Sequence, residues 1–250
     1  MPESRRLKLI ISYDGGDFAG WQAQANASSV QQSLEFTFRR ICGEPIVMIG
    51  AGRTDAGVHA FGQCAHADVP AGRLAPGEWL KAANALLPPT VRVLRASFVS
   101  EHFHARFSAK EKIYRYRIIT SLVLSPFEAG RAWHVAGPVD ETILRQSANL
   151  FIGKHDFASF TAARAKGMER KTVRRISAVS VRRTGARIDL DFTAPGFLYK
   201  MVRMIVGAII QSALGKEELD SVRSRLKRPG GSDRRFVAPA EGLYLVRVQY

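Results

Sequence analysis

Cysteine is scarce: the 250-residue chain has two, Cys42 and Cys64. Two thiols are too few for a four-cysteine zinc site and have no redox-motif spacing, so both are expected to be reduced. Acidic residues are outnumbered, 22 Asp+Glu against 37 Lys+Arg, for a formal net charge of +15. The longest apolar stretch, Phe197 to Leu214, is interrupted by Lys200 and Arg203, which reads as a buried helix and not a membrane span. The opening segment, MPESRRLKLIISYDGG, lacks an apolar core ending in a small-residue cleavage site. A cytoplasmic protein that does not enter a membrane is expected. Nucleotide and metal signatures are missing as well. Gly50-Ala51-Gly52 begins like a dinucleotide fingerprint, but Asp55 stands where the third glycine belongs and would repel a pyrophosphate. No P-loop lysine follows a glycine-rich turn, and the six histidines show no HExxH spacing. His102 and His104 share a strand parity, but such a pair is more often structural. No cofactor and no metal are expected.

Cationic side chains are plentiful, and they are clustered. Residues 1–125 carry 15 basic against 10 acidic side chains, and residues 126–250 carry 22 against 12. Between Arg164 and Arg187 lie nine basic residues and one acid, Glu169. A solubilising surface is one reading. One-sided charge is not needed for solubility, however, and a polyanion, above all nucleic acid, is the better fit. Arginine makes up 27 of the 37 cations, which suits bidentate phosphate contacts.

Hydropathy patterns predict an α+β chain. Leu7 onward reads as a strand, and Ser29-Val-Gln-Gln32 as a capping box opening a helix with Val30, Leu34, Phe38 and Ile41 on one face. Pro45 onward reads as a short strand entering a glycine loop, Gly62 onward as another strand, Glu78 onward as a helix stopped by Pro88 and Pro89, and Val91 onward as a strand. In the second half, strands are predicted from Lys112, a helix capped by Asp140, a hairpin turning at Thr184-Gly185, an apolar helix opened by Pro195-Gly196, and a closing strand from Tyr244. Two similar α+β halves, 1–105 and 106–250, around one mainly antiparallel sheet with a central cleft account for this order.

The stretch G50-AGRTDAGVHA60 holds one carboxylate, Asp55, among three glycines. An aspartic-protease dyad needs a second acid loop, and Asp14-Gly15-Gly16 lacks the preceding threonine. Two readings remain: Asp55 caps the following turn, or it acts alone as nucleophile or base. Arg203, in a helix almost apolar on every face, needs a carboxylate or several carbonyls, and Asp55 needs a cation, so each answers the other. Arg53 is a second cation beside Asp55. Tyr114 and Tyr116, flanked by Lys112, Arg115 and Arg117, offer rings among cations. Such tyrosines are equally at home in a core.

Six motifs in order, Y13-DGGDFAGWQAQ24, G50-AGRTDAGVHA60, F103-HARFSAKEKIYRY116, H155-DFASF160, F197-LYKMVRMIVGAII210 and A238-PAEGLYL245, cover nearly the whole chain. With them the sequence resembles the tRNA pseudouridine synthase A family. The resemblance implies isomerisation of uridine to pseudouridine at nucleotides 38–40 of the tRNA anticodon arm, without cofactor, by a homodimer. It implies Asp55 as nucleophile, attacking sugar C1′ or uracil C6. It gives Arg53 a part in base extrusion, stacks Tyr114 on the target uracil, and pairs Arg203 with the aspartate. Either Leu243 or Leu245 lines the uracil pocket. Arg170, Lys171, Arg174 and Arg175, in an arginine-rich stretch without clear periodicity, are expected to meet RNA. A non-catalytic tRNA-binding protein and a nucleoside glycosylase are the alternatives.

Overall fold

The computed structural model describes residues 3–25, 27–162, 172–227 and 236–250. Its elements run β1 (Ser4–Tyr13), α1 (Val30–Cys42), β2 (Ile49–Gly50), β3 (His59–Pro70), α2 (Pro76–Leu86), β4 (Val91–Phe98), β5 (Glu111–Ile119), β6 (Trp133–His134), α3 (Glu141–Asn149), β7 (Gly153–Asp156), β8 (Val173–Ile176), β9 (Ala178–Thr184), β10 (Arg187–Ala194), α4 (Met201–Ala213), α5 (Leu219–Lys227) and β11 (Leu243–Gln249). The fold is α+β, and the chain divides into two compact units. One comprises the chain up to Lys110 together with Tyr244–Tyr250; the other is Glu111–Leu243. The closing strand thus belongs with the N-terminal unit.

In the first unit the strand order is β4-β1-β3-β11, with β2 also on β3. Pairing is antiparallel except for the short parallel β11–β3 contact, Tyr244 opposite His59 and Leu245 opposite Ala60. Strand alternation in β1 turns Leu7, Leu9, Ile11 and Tyr13 to the buried side. Helix α1 buries Val30, Leu34 and Phe38, and Phe38 stacks on Trp79 of α2 at 5.4 Å. Each such fully buried side chain stabilises the fold by about 1.5–3 kcal/mol. The Ser29 hydroxyl caps α1 by accepting from the Gln32 N–H at 3.2 Å, as the sequence pattern predicts. Helix α2 is fastened to β4 by Asn84, whose side chain donates to the Val93 carbonyl and accepts from its N–H, both at 2.8 Å. The strand expected from Pro45 is shorter than its pattern. Residues 45–49 alternate in burial, but only Ile49 and Gly50 pair with β3.

The second unit has the order β5-β10-β9, antiparallel, with β6 parallel to β5, and a separate antiparallel ribbon of β7 and β8. The β9–β10 hairpin turns where expected, with Thr184 opposite Arg187. The apolar helix begins at Met201 and not directly after Pro195-Gly196, because Lys200 adopts a left-handed backbone with φ 57° and separates α4 from the preceding turn. Helix α3, capped by Asp140, packs on α4. Helix α5 has no counterpart in the predicted pattern. Its buried face includes Arg225, whose guanidinium lies 2.6 Å from Glu217 and over the Phe160 ring, so a charged residue serves as a core position. Among the described residues no helix is long and apolar enough to cross a membrane.

Candidate active site

The glycines around Asp55 answer a packing requirement. Segment 13–24 lies directly against loop 50–58 within the first unit. Trp21 N–H donates to the Thr54 carbonyl at 3.2 Å, and Gly57 N–H donates to the Phe18 carbonyl at 3.3 Å. A Cβ on Gly20, whose φ is +100°, would sit 2.4 Å from the Thr54 oxygen. One on Gly15 would sit 2.0 Å from the Val58 oxygen, and one on Gly50 would enter the Trp21 indole. Two glycine-rich motifs far apart in sequence are therefore one structure, with Asp55 at its bend. The turn itself is closed by the Val58 N–H donating to the Asp55 carbonyl at 3.2 Å. Asp55 is half-buried.

Polar side chains hold the loop from beneath. The buried Tyr13 hydroxyl and the Thr54 hydroxyl lie 2.8 Å apart. Burial pushes the Tyr13 phenol well above its ordinary range, with Thr54 and Gln63 acting against that. Gln63, fully buried, donates to the Gly52 carbonyl at 2.8 Å. Arg53 is exposed, and its Nε donates to Gln22 Oε1 at 3.0 Å. Gln22 in turn donates to Gln31, and Gln31 to Glu35, both at 2.8 Å, so a relay of side chains connects Arg53 to α1. None of Tyr13, Gln22, Gln31 and Gln63 carries a chemical signature in the sequence. For Gln22 and Gln31 the glutamines of WQAQ and VQQS are the only signal, and nothing in the spacing of Tyr13 and Gln63 marks them.

The second unit brings three motifs together. Tyr116 is fully buried, and its hydroxyl donates to the Pro239 carbonyl at 2.7 Å. A Cβ on Gly242 would meet the Tyr116 ring at 2.7 Å, which explains the glycine of the GLYL segment. Arg203 donates through Nε to the Ala238 carbonyl at 2.8 Å, and the Ala238 N–H returns a bond to the Arg203 carbonyl at 3.1 Å. Burial raises the Tyr116 phenol above its usual range, and the nearby Arg203 charge opposes this. The helix predicted a desolvated guanidinium; Arg203 is half-buried. Tyr114 is 8% exposed and meets Phe197 edge-on at 5.1 Å. The arginines flanking it are engaged in the sheet: Arg115 forms a two-pronged bridge to Asp191 at 2.7 and 2.8 Å, and Arg117 lies 3.5 Å from Asp189. Leu243 and Leu245 are both buried, the first in the second unit and the second in the first. Arg174 and Arg175 lie on β8, half-buried and exposed, while Arg170 and Lys171 fall outside the described residues. No group of three His, Cys, Asp or Glu among the described residues is placed to hold a metal ion.

A family model described as tRNA pseudouridine synthase matches residues 9–108 and 147–250. The chain belongs to this family. It is 43% identical to tRNA pseudouridine synthase A of Akkermansia muciniphila, covering 98% of this chain and 95% of that protein. It is 40% identical to the proteins of that name from Rhodospirillum rubrum and Acetivibrio thermocellus, again over 98% of this chain and over 87% and 100% of theirs. Asp55, Arg53, Arg203, Leu243 and Leu245 lie inside the matched segments of the family model, and Tyr114 lies between them.

Proposed function

We propose that this chain is a tRNA pseudouridine synthase, an isomerase that rebuilds the glycosidic bond of uridines at nucleotides 38–40 of the anticodon arm. The observation that carries the reading is the Asp55 loop, whose one carboxylate sits at a bend packed against the glycine-rich segment 13–24 in a chain of this family. Asp55 adds to the nucleoside, the C1′–N1 bond breaks, the uracil turns, a C1′–C5 bond forms, and the bond to Asp55 breaks to return the free carboxylate. C5 loses a proton and N1 gains one, so atoms and electrons balance without a cofactor. In this reading Arg53 helps extrude the base, Tyr114 stacks on it, Arg203 compensates the carboxylate, and a leucine of the GLYL segment, Leu243 or Leu245, lines the uracil site. Arg170, Lys171, Arg174 and Arg175 meet the RNA backbone. A cytoplasmic homodimer acting on the anticodon arm completes the proposal.

The test is unmodified tRNA incubated with the wild type and with Asp55→Asn, reading pseudouridine content and free uracil together. Wild type forms pseudouridine and releases no uracil. Asp55→Asn binds tRNA with nearly unchanged affinity and loses product formation by several orders of magnitude, as when a covalent step is removed. Free uracil in the wild-type reaction would point to a glycosylase, and binding without either product to a carrier protein.

A further inference from the structure

Phe107 is 75% exposed, on a loop whose backbone is bonded on both sides of it. His104 lies against it, with ring centroids 4.3 Å apart, and His104 Nδ1 accepts from the backbone N–H groups of both Arg106 and Phe107, at 3.1 and 3.2 Å. The loop below is tied in both directions. Ser108 Oγ accepts from the His104 N–H at 3.0 Å, and the Ser108 N–H donates to the His104 carbonyl at 2.9 Å. The Ala105 N–H donates to His66 Nδ1 at 3.1 Å, the Tyr250 hydroxyl to the Ala105 carbonyl at 2.7 Å, and Arg6 to the carbonyls of Glu101 and Phe103. These bonds fix the backbone that carries the exposed Phe107 ring.

Its surroundings indicate what it meets. The Arg106 guanidinium carbon stands 5.5 Å from the ring centroid, and both side chains are exposed, with exposed Lys110 three residues on. Nucleobases stack on aromatic rings set among cations, because every base has a π-face and the adjoining phosphates are anionic. Phe127, at 86%, is the more exposed ring, but it shares its loop with Leu122 at 86% and Val123 at 77%, an aliphatic setting suited to other contacts. We propose that Phe107, backed by His104 and edged by Arg106, is a stacking platform for an unpaired nucleotide of the RNA substrate. The proposal rests on the tRNA reading above and adds a base-binding position on loop 100–110.

The experiment measures the dissociation constant of unmodified tRNA for Phe107→Ala, Phe107→Leu and Phe107→Trp across a salt series, with thermal melts as a folding control. Removing the π-face in the Ala and Leu variants weakens binding about 5-fold or more, and Trp retains affinity. The slope of log affinity against log salt stays at the wild-type value, since no phosphate contact is lost. In Phe107→Trp the added indole emission is quenched when tRNA binds. Wild-type affinity in Phe107→Leu, or a changed oligomeric state in Phe107→Ala, overturns the platform while wild-type pseudouridine formation leaves the enzyme reading standing. Failure of the wild type itself to bind tRNA overturns both.

Discussion

Gly20 and Gly43 both have left-handed backbones, at φ +100° and +80°, but they do different work. Gly43 closes α1 with its N–H on the Arg39 carbonyl, and a Cβ there would meet nothing within 4 Å. Gly20 lies against the carbonyl of Thr54, one residue before Asp55. Gly43→Ala is expected to lower stability by about 1 kcal/mol with turnover unchanged. Gly20→Ala adds a collision to the strained backbone, so the loop must move, and turnover on tRNA falls by at least about tenfold, beyond what melting accounts for. Chemical denaturation and single-turnover rates on both variants check the contrast; equal activity losses would mean that the loop's position is not what Gly20 protects. At this scale the sequence was legible in part. A lone acid in a glycine loop and a cation in an apolar helix break local rules, which is what draws the eye to Asp55 and Arg203 as candidates. The Tyr13–Thr54 contact, and the packing of Trp21 on Gly50, are not marked in this way, since both join positions about 30 to 40 residues apart with nothing in their spacing to connect them.

Elements with a regular period were readable, and those set by their neighbours were not. Strands β1, β4 and β5 and helices α1 and α3 fall where alternation and capping residues put them. The onset of α4 depends on one left-handed Lys200, and α5 buries an arginine, so neither boundary nor burial followed from hydropathy. Between elements, the anchoring of loop 100–108 to β3 depends on an uncharged acceptor, His66 Nδ1. Burial first, then the charges of Arg6 and His104, pushes the His66 imidazole down to about 4; Asp68 acts against this, and Lys8 lies opposite on β1. The native state therefore resists a proton that the unfolded chain accepts below about pH 6.5. Stability is expected to fall as pH drops from 6.5 to 4, by at most about 3 kcal/mol, and the His66 contribution levels off below that. The carboxyl of Asp68, held low chiefly by its hydrogen bond from Arg6, adds its own loss at more acid pH, where the unfolded chain takes up a proton that the native carboxyl still resists. His66→Gln retains an acceptor without a titrating nitrogen, so its urea-unfolding free energy should vary less between pH 6.5 and 4 than that of the wild type. Parallel curves would remove His66 as the source.

At the scale of the whole molecule, a net charge of +15 overstates how many individual cations are available, because many are committed internally. Arg182 lies 3.6 Å from Asp191, Arg183 3.5 Å from Glu141, and Arg187 2.8 Å from Asp189, all within the run that marked the sequence as a polyanion binder. The β7–β8 ribbon is arranged differently. Its register places Lys154 opposite Arg175, and both are exposed. Like charges across an antiparallel pair destabilise it by some tenths of a kcal/mol, roughly 0.2–1. If Lys154 and Arg175 meet RNA, as proposed for Arg175, the repulsion between them is relieved when the polyanion binds. Replacing both with alanine should therefore have effects of opposite sign. At low salt the free protein should gain up to about 1 kcal/mol in stability, and the gain should fade as salt screens the repulsion. Affinity for tRNA should drop, and the slope of log affinity against log salt should flatten by about 1.5, the release expected for two phosphate contacts. The double variant Arg182→Ala/Arg183→Ala is the control, since its side chains already pair with carboxylates of the same chain; it should leave the slope nearly unchanged and give no gain in stability. Urea melts at low and high salt, with binding isotherms over the same range, measure both signs on one set of proteins. If Lys154→Ala/Arg175→Ala binds tRNA with the wild-type slope, the ribbon is not on the RNA path, and its paired cations need another explanation.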